Sequence, residues 1–226
     1  MTDRVTVKQL RARIAIVARA LIESSDELNT LDAATGDGDM GISVRIGAEA
    51  VLAELERLEE ADAGALLAAL GMAFNRAAGS TIGALVATAG MRSGAVLKGQ
   101  FEMDLASLST AFRSAIEGIA ERGKAKRGDK TLLDAMIPAA EALDATVNEG
   151  GELAEAASRA LEAAEAGMRK TAGMLGKVGR GKWSGERGRE HPDAGAAAVV
   201  IALRAIAISS EPRTIDAKRL ADLPPR

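Results

Sequence analysis

The chain has no cysteine and no tyrosine, and only one tryptophan, one histidine and three phenylalanines in 226 residues. Without cysteine there is no disulfide framework, no thiolate metal site and no cysteine nucleophile, and a cytoplasmic location is the expectation. Aromatics make up 2% of the chain against a hydrophobic share of 47%, so a core has to be built from Ala, Leu, Ile, Val and Met. That set favours helices over strands. A strong charge of one sign is lacking too: the formal net charge is −3, which argues against general nucleic-acid binding. The start, Met1-Thr2-Asp3-Arg4, has no signal-peptide pattern. The longest strongly apolar run, Ala194 to Leu203, is too short to span a bilayer and ends at Arg204, so no membrane partner is expected.

What the chain does have is helical periodicity. Apolar residues recur three or four apart in eight stretches, running through Leu10–Leu21, Val44–Leu58, Ala63–Phe74, Ile82–Ala89, Leu105–Ile119, Leu133–Val147, Leu153–Met168 and Val199–Ile206. This spacing puts the apolar groups on one face of each helix. No alternating pattern marks a strand. The connections are mostly short and no composition break divides the chain. The expectation is therefore an all-α, single-domain antiparallel bundle or barrel of eight helices over residues 1–210. Residues 211–226 carry three prolines and little apolar pattern, and read as a C-terminal tail.

Four glycine-containing loops interrupt the periodicity. The first, from Leu31 to Gly41, carries Asp32, Asp37 and Asp39. Its carboxylates are the hard oxygen ligands Mg²⁺ prefers; the same residues also serve as helix caps and turn formers. A calcium EF-hand fits poorly, because Ile42 and Ala48 stand where Gly and Glu are required. The second loop is Ala78-Gly79-Ser80-Thr81-Ile82-Gly83, whose backbone N–H groups and hydroxyls suit a phosphate or an ordinary N-cap. The third is Arg127-Gly128-Asp129-Lys130-Thr131, with Asp129 a cap or turn former and Lys130 either reaching an anion or solvated. The fourth, Gly176 to Gly195, is long for a connection and holds Arg180, a candidate phosphate or base contact, together with the lone Trp183 and His191. In an up-down bundle, alternate helices begin at the same end. All four loops should then converge on one rim.

Together these loops resemble the nucleotide-binding L subunit, or L domain, of dihydroxyacetone kinases. Gly36-Asp37-Gly38-Asp39-Met40-Gly41 after Asp32, Gly79 to Gly83, the intact Gly128-Asp129-Lys130-Thr131, and Gly185-Glu186-Arg187 with His191-Pro192-Asp193-Ala194-Gly195 follow the family's motif order. The resemblance implies an eight-helix antiparallel barrel with ATP or ADP at one rim. It implies two Mg²⁺ held by Asp32, Asp37 and Asp39, with these and Arg180 as the catalytic set. Met40, Gly41, Ile42, Ser43, Thr81 and Ile82 would lie against phosphates, with Ser80 nearby. Gly128, Ile137, Arg180, Asp193, Ala194 and Gly195 would frame the rest of the nucleotide. Met40, Ile82 and Ala194 depart from the family's usual His, Ser and Pro. The implied activity is phosphoryl transfer from a Mg-nucleotide to a short ketose such as dihydroxyacetone, held covalently by a His of a separate K-type subunit, or ADP kept as a fixed cofactor and recharged by a phosphocarrier protein. The alternative is a nucleotide-binding regulatory subunit without turnover of its own. A homodimer is compatible with either.

Overall fold

The computed structural model describes residues 4–58, 61–183 and 185–210; the expected tail, 211–226, lies outside the described residues. Among them are nine α-helices: α1 (Val7–Glu23), α2 (Ser25–Thr35), α3 (Met40–Arg57), α4 (Ala63–Ala78), α5 (Thr81–Val96), α6 (Leu105–Gly123), α7 (Leu133–Asn148), α8 (Leu153–Thr171) and α9 (Ala194–Ser210). Two short 3-10 helices, Gly179–Trp183 and Gly185–Glu190, lie in the connection from α8 to α9.

Eight of these helices close a ring. α1 packs on α3, each helix from α3 to α8 packs on the next, and α9 returns to α1. The ring is the eight-helix barrel expected from the periodicity. α2 is an addition to it, lying against α3 and α9. A single residue, Ser24, separates α1 from α2, and neither Gly nor Pro marks the break. This corrects one expectation: Asp32 sits on the last turn of α2, not in a loop, and the loop proper is residues 36–39.

A second correction is a two-residue antiparallel ribbon, β1 (Val5–Thr6) with β2 (Glu102–Met103), in the register Val5 to Met103. Two residues are too few to show alternation. Val5 and Met103 are both buried. Thr6 then starts α1 with a reciprocal cap: its hydroxyl accepts from the Gln9 N–H at 3.2 Å, and the Gln9 side chain accepts from the Thr6 N–H at 2.8 Å.

Small residues set the packing. α7, α8 and α9 meet through Ala135, Ala139, Ala160, Ala164 and Ala196, all buried. α9 is apolar nearly all round because α1, α2, α7 and α8 all contact it. α4 and α5 approach backbone to backbone. A Cβ placed on Gly90 would lie 2.5 Å from the Leu67 carbonyl oxygen, and one on Gly64 would lie 2.4 Å from that of Gly94. Two opposing effects therefore meet at Gly90. Alanine has the better helix propensity by about 1 kcal/mol, but its methyl collides with main chain that has no rotamer to give. Packing should win: Gly90→Ala is expected to lower the unfolding free energy by about 1–3 kcal/mol in urea denaturation. A stabilised variant would show that the crossing is looser than described.

Candidate functional site

The end of α2 and the start of α3 form one hydrogen-bonded unit. Asp32 Oδ2 accepts from the N–H groups of Gly38, Asp39 and Met40 at 3.0, 3.1 and 3.3 Å. The loop is therefore wrapped around one carboxylate oxygen. The other, Oδ1, packs on Gly36, where a Cβ would lie 2.4 Å away. Asn29, one turn before Asp32 on the same helix, accepts from the Ile42 N–H at 3.1 Å. Gly41 is pressed against α2 so closely that a Cβ would sit 1.8 Å from the Ser25 carbonyl oxygen. The result is that one oxygen from each of Asp32, Asp37 and Asp39 lies within 4.8 Å of the others. Three hard oxygen donors at this spacing suit Mg²⁺.

The expected convergence is present. A cleft is lined by the Asp loop, by Met40 and Ser43 of α3, Thr81, Ile82 and Leu85 of α5, Thr131 to Leu133 at the start of α7, and Asp193 and Gly195 at the start of α9. The end of α6, through Ile119 and Gly123, joins them. Three of the lining acids are clustered together, and Leu85, Ile119, Ala125 and Leu132, which pack in one core cluster, supply apolar wall.

The sequence candidates divide accordingly. Asp32, Asp37, Asp39, Met40, Ser43, Ser80, Thr81, Ile82, Asp193 and Gly195 all line the cleft. Ser80 also caps α5, its hydroxyl accepting from the Gly83 N–H at 3.3 Å, and Gly79 ends α4 in the left-handed region at φ +54°. Five others do not line it. Gly41 faces α2, Ile42 is exposed, Ala194 is buried, and Ile137 packs in a core cluster with Leu133 and Met136. Gly128 donates its N–H to Asp134 at 2.6 Å. The side chain of Arg180 lies outside what the structure describes.

Lys130 is not solvated: it is 5% exposed, it lines the cleft, and its ammonium donates to the carbonyls of Thr171 at 2.6 Å and His191 at 2.7 Å. His191 takes part through that carbonyl while its side chain is exposed. Asp129 is the turn former expected, accepting from the Lys126 N–H at 2.9 Å. Asn29 and Asp134 were missed. Asn29 shares a helical face with Asp32, a signal visible once α2 is recognised as a helix. Asp134 is buried at the start of α7 and accepts from both Gly128 and Thr131.

Burial pulls the Lys130 ammonium below its usual value, against the opposing pull of Asp193 and Asp134. Burial likewise pushes the Asp193 carboxyl up to about 6, despite its bond from the Ala196 N–H and the nearby lysine. The folded value lies above the ordinary 3.8, so the stability tied to protonated Asp193 is complete below that pH and lost as pH rises through about 6. The unfolding free energy of the wild type relative to Asp193→Asn should fall by up to about 3 kcal/mol from acid to neutral pH in urea titrations. A difference that stays flat, or grows, would refute this reading of the Asp193 environment.

The sequence and fold have counterparts. The DAK2 domain matches residues 34–208. The chain is 34% identical over 179 residues to the ADP-binding subunit DhaL of PEP-dependent dihydroxyacetone kinase 2 from Listeria innocua, covering 78% of this chain and 82% of that one. It is 29% identical over 187 residues to the corresponding Escherichia coli subunit, covering 83% and 89%. The L-erythrulose kinase of Pectobacterium atrosepticum is 38% identical over 184 residues, but this chain (80% of it aligned) spans only 31% of that protein's length. The dihydroxyacetone kinase of C. freundii in complex with AMP-PNP and Mg²⁺ superposes with a TM-score of 0.70 at 25% identity, over 93% of this chain and 35% of that one. The chain belongs to the DAK2 domain family, with the all-α architecture of the dihydroxyacetone kinase L domain.

Proposed function

We propose that this chain is the nucleotide-binding subunit of a short-ketose kinase, acting on dihydroxyacetone or a close relative held by a separate K-type subunit. One observation carries the reading: three clustered carboxylates share a mouth with the starts of α3, α5, α7 and α9. The names of the relatives support it. Two DhaL relatives are ADP-binding subunits, and the C. freundii kinase was captured with AMP-PNP and Mg²⁺.

The residues fit a hard divalent cation, because the cluster offers only carboxylate oxygens. Asp32, Asp37 and Asp39 would hold Mg²⁺, two ions in the fullest form of this reading, and the metal would offset charge on the phosphates. The chain's own groups do the rest. Asp32 orders the loop through its three N–H bonds, which hold the donor set together. Thr81 and Ile82 present first-turn N–H groups, which have no partner inside an α-helix and suit phosphate oxygens. The apolar wall of Leu85, Ile119 and Leu132 suits the face of a base. In the proposed transfer, the bond from the terminal phosphorus of ATP to its bridging oxygen breaks, the ketose hydroxyl oxygen bonds to that phosphorus and releases its proton to solvent, and ADP is left. Catalysis of this kind is mostly positioning and charge neutralisation.

The relatives described as PEP-dependent and ADP-binding favour a second form, with ADP retained and recharged by a phosphocarrier protein. Assays with a K-type subunit, supplied with ATP or with a phosphocarrier and PEP, separate the two forms. Turnover with neither would leave a regulatory nucleotide-binding subunit. Asp37→Asn and Asp39→Asn should each weaken Mg-ADP binding about tenfold or more in isothermal titration, at least ~1.4 kcal/mol, with far-UV circular dichroism unchanged. Wild-type affinity in both variants would remove the metal site from this reading.

A further inference from the structure

The segment from Ala172 to Asp193 leaves α8, lines the cleft with Val178, Gly179 and Gly181, and enters α9. Both of its ends are tied to one short turn, residues 128–130. At the entry, the Lys177 N–H donates to the Asp129 carbonyl at 3.1 Å, and the Lys177 ammonium donates to the Gly128 carbonyl at 2.8 Å. At the exit, Lys130 reaches the His191 carbonyl while also holding the Thr171 carbonyl at the end of α8. The Thr171 hydroxyl in turn accepts from the Asp193 N–H at 2.8 Å.

The turn itself is held rigidly. Asp134 accepts from the Gly128 N–H at 2.6 Å and from the Thr131 N–H at 2.8 Å. Lys130 takes φ +61°, a conformation side-chain-bearing residues adopt only at a cost. Its ammonium is buried against two carbonyls from positions 41 and 61 residues further along the chain. A buried ammonium left unpaired would be costly, so this geometry favours keeping α7, α8 and the exit of the segment together.

We propose that Lys130 is a positioning residue for the nucleotide, holding the 172–193 segment against the cleft and thereby setting how long a bound nucleotide stays. Lys130 itself lines the cleft, but its ammonium is engaged by the Thr171 and His191 carbonyls and acts through them, and Lys177 closes the other end. The proposal rests on the nucleotide-binding reading of the cleft, but the tether itself is testable without any ligand.

The experiment compares the full chain with Lys130→Met and Lys177→Met. Amide hydrogen exchange is followed in the ligand-free proteins, and release of a fluorescent ADP analogue is followed by stopped flow in Mg²⁺. Lys130→Met should speed exchange across residues 176–192 about tenfold with α4 and α5 unchanged, and should speed ADP release about tenfold while the association rate holds within about twofold. Lys177→Met should act in the same direction more weakly. Its side chain is 61% exposed, so it carries the test if Lys130→Met does not fold. Unchanged exchange in the segment would overturn the proposal, as would exchange raised evenly through all helices. Faster release with the segment still protected would overturn it too, and would assign Lys130 a direct phosphate contact instead. Failure of the wild-type chain to bind Mg-ADP would overturn the nucleotide reading separately, with the tether still judged by exchange in the free protein.

Discussion

The closed ring of antiparallel helices is the constraint on which the site depends. When each helix reverses direction relative to its neighbours, alternate N-termini must share an end. α3, α5, α7 and α9 all start at the cleft. Each start exposes backbone N–H groups that the helix cannot satisfy itself. Some are capped locally, as Ser80 caps α5 and Asp193 caps α9. Others are taken by nearby side chains, since Asp32 and Asn29 accept the Met40 and Ile42 N–H groups at the start of α3 and the Thr131 hydroxyl accepts that of Leu133 at α7, while the positive ends of the dipoles face a common space. Ring topology thus builds an anion-friendly mouth without any concentration of basic side chains, in a chain whose net charge is negative.

Much of this was legible in the residues. The eight apolar stripes correspond to the eight ring helices, although in α1, α5 and α9 the stripe residues are half-buried and smaller neighbours such as Ala18, Ala87 and Ala197 are the buried ones. The loops were legible because Gly and Asp cluster where the chain turns. What escaped notice lacked a local signature. Ser24 breaks one helix from the next without Gly or Pro, so Asp32 looked like loop. The ribbon of Val5–Thr6 with Glu102–Met103 is too short to carry a period. Lys130 is the most instructive case. Its partners are backbone carbonyls remote in sequence, and every residue type has a carbonyl, so no side-chain pattern could announce them. A lysine in a polar glycine turn reads as solvated or as an anion contact, and only the fold reveals it as buried against carbonyls.

The same turn shows how one motif divides its labour. Gly128 supplies a positive φ of 88° and an N–H for Asp134. Asp129 closes the turn onto Lys126 and, through its carbonyl, holds Lys177. Lys130 holds α8 and the segment beyond it. Lys130 and Thr131 line the cleft. The hydrogen bonds of Gly128, Asp129 and Lys130 nonetheless go to other protein groups. Its order in sequence resembles a binding motif, but its geometry is that of a fastening for the parts that form the cleft wall.

Charge imposes a final condition on the proposed function. Asp32, Asp37 and Asp39 bring three carboxylates to the mouth where polyphosphate would sit. Like charges a few ångströms apart repel by several kcal/mol at the effective dielectric of a protein surface, about 4 kcal/mol per pair at 4 Å. The helix N-termini offset only part of that, each contributing about 0.3–1 kcal/mol. A nucleotide without a cation should therefore bind poorly, and a cation without a nucleotide would lack part of its oxygen shell. Each ligand would complete the other's site, so their affinities must be linked by the same factor in both directions. On the proposed function, the acidic loop would then act as a filter, rejecting bare polyphosphate and admitting the metal complex.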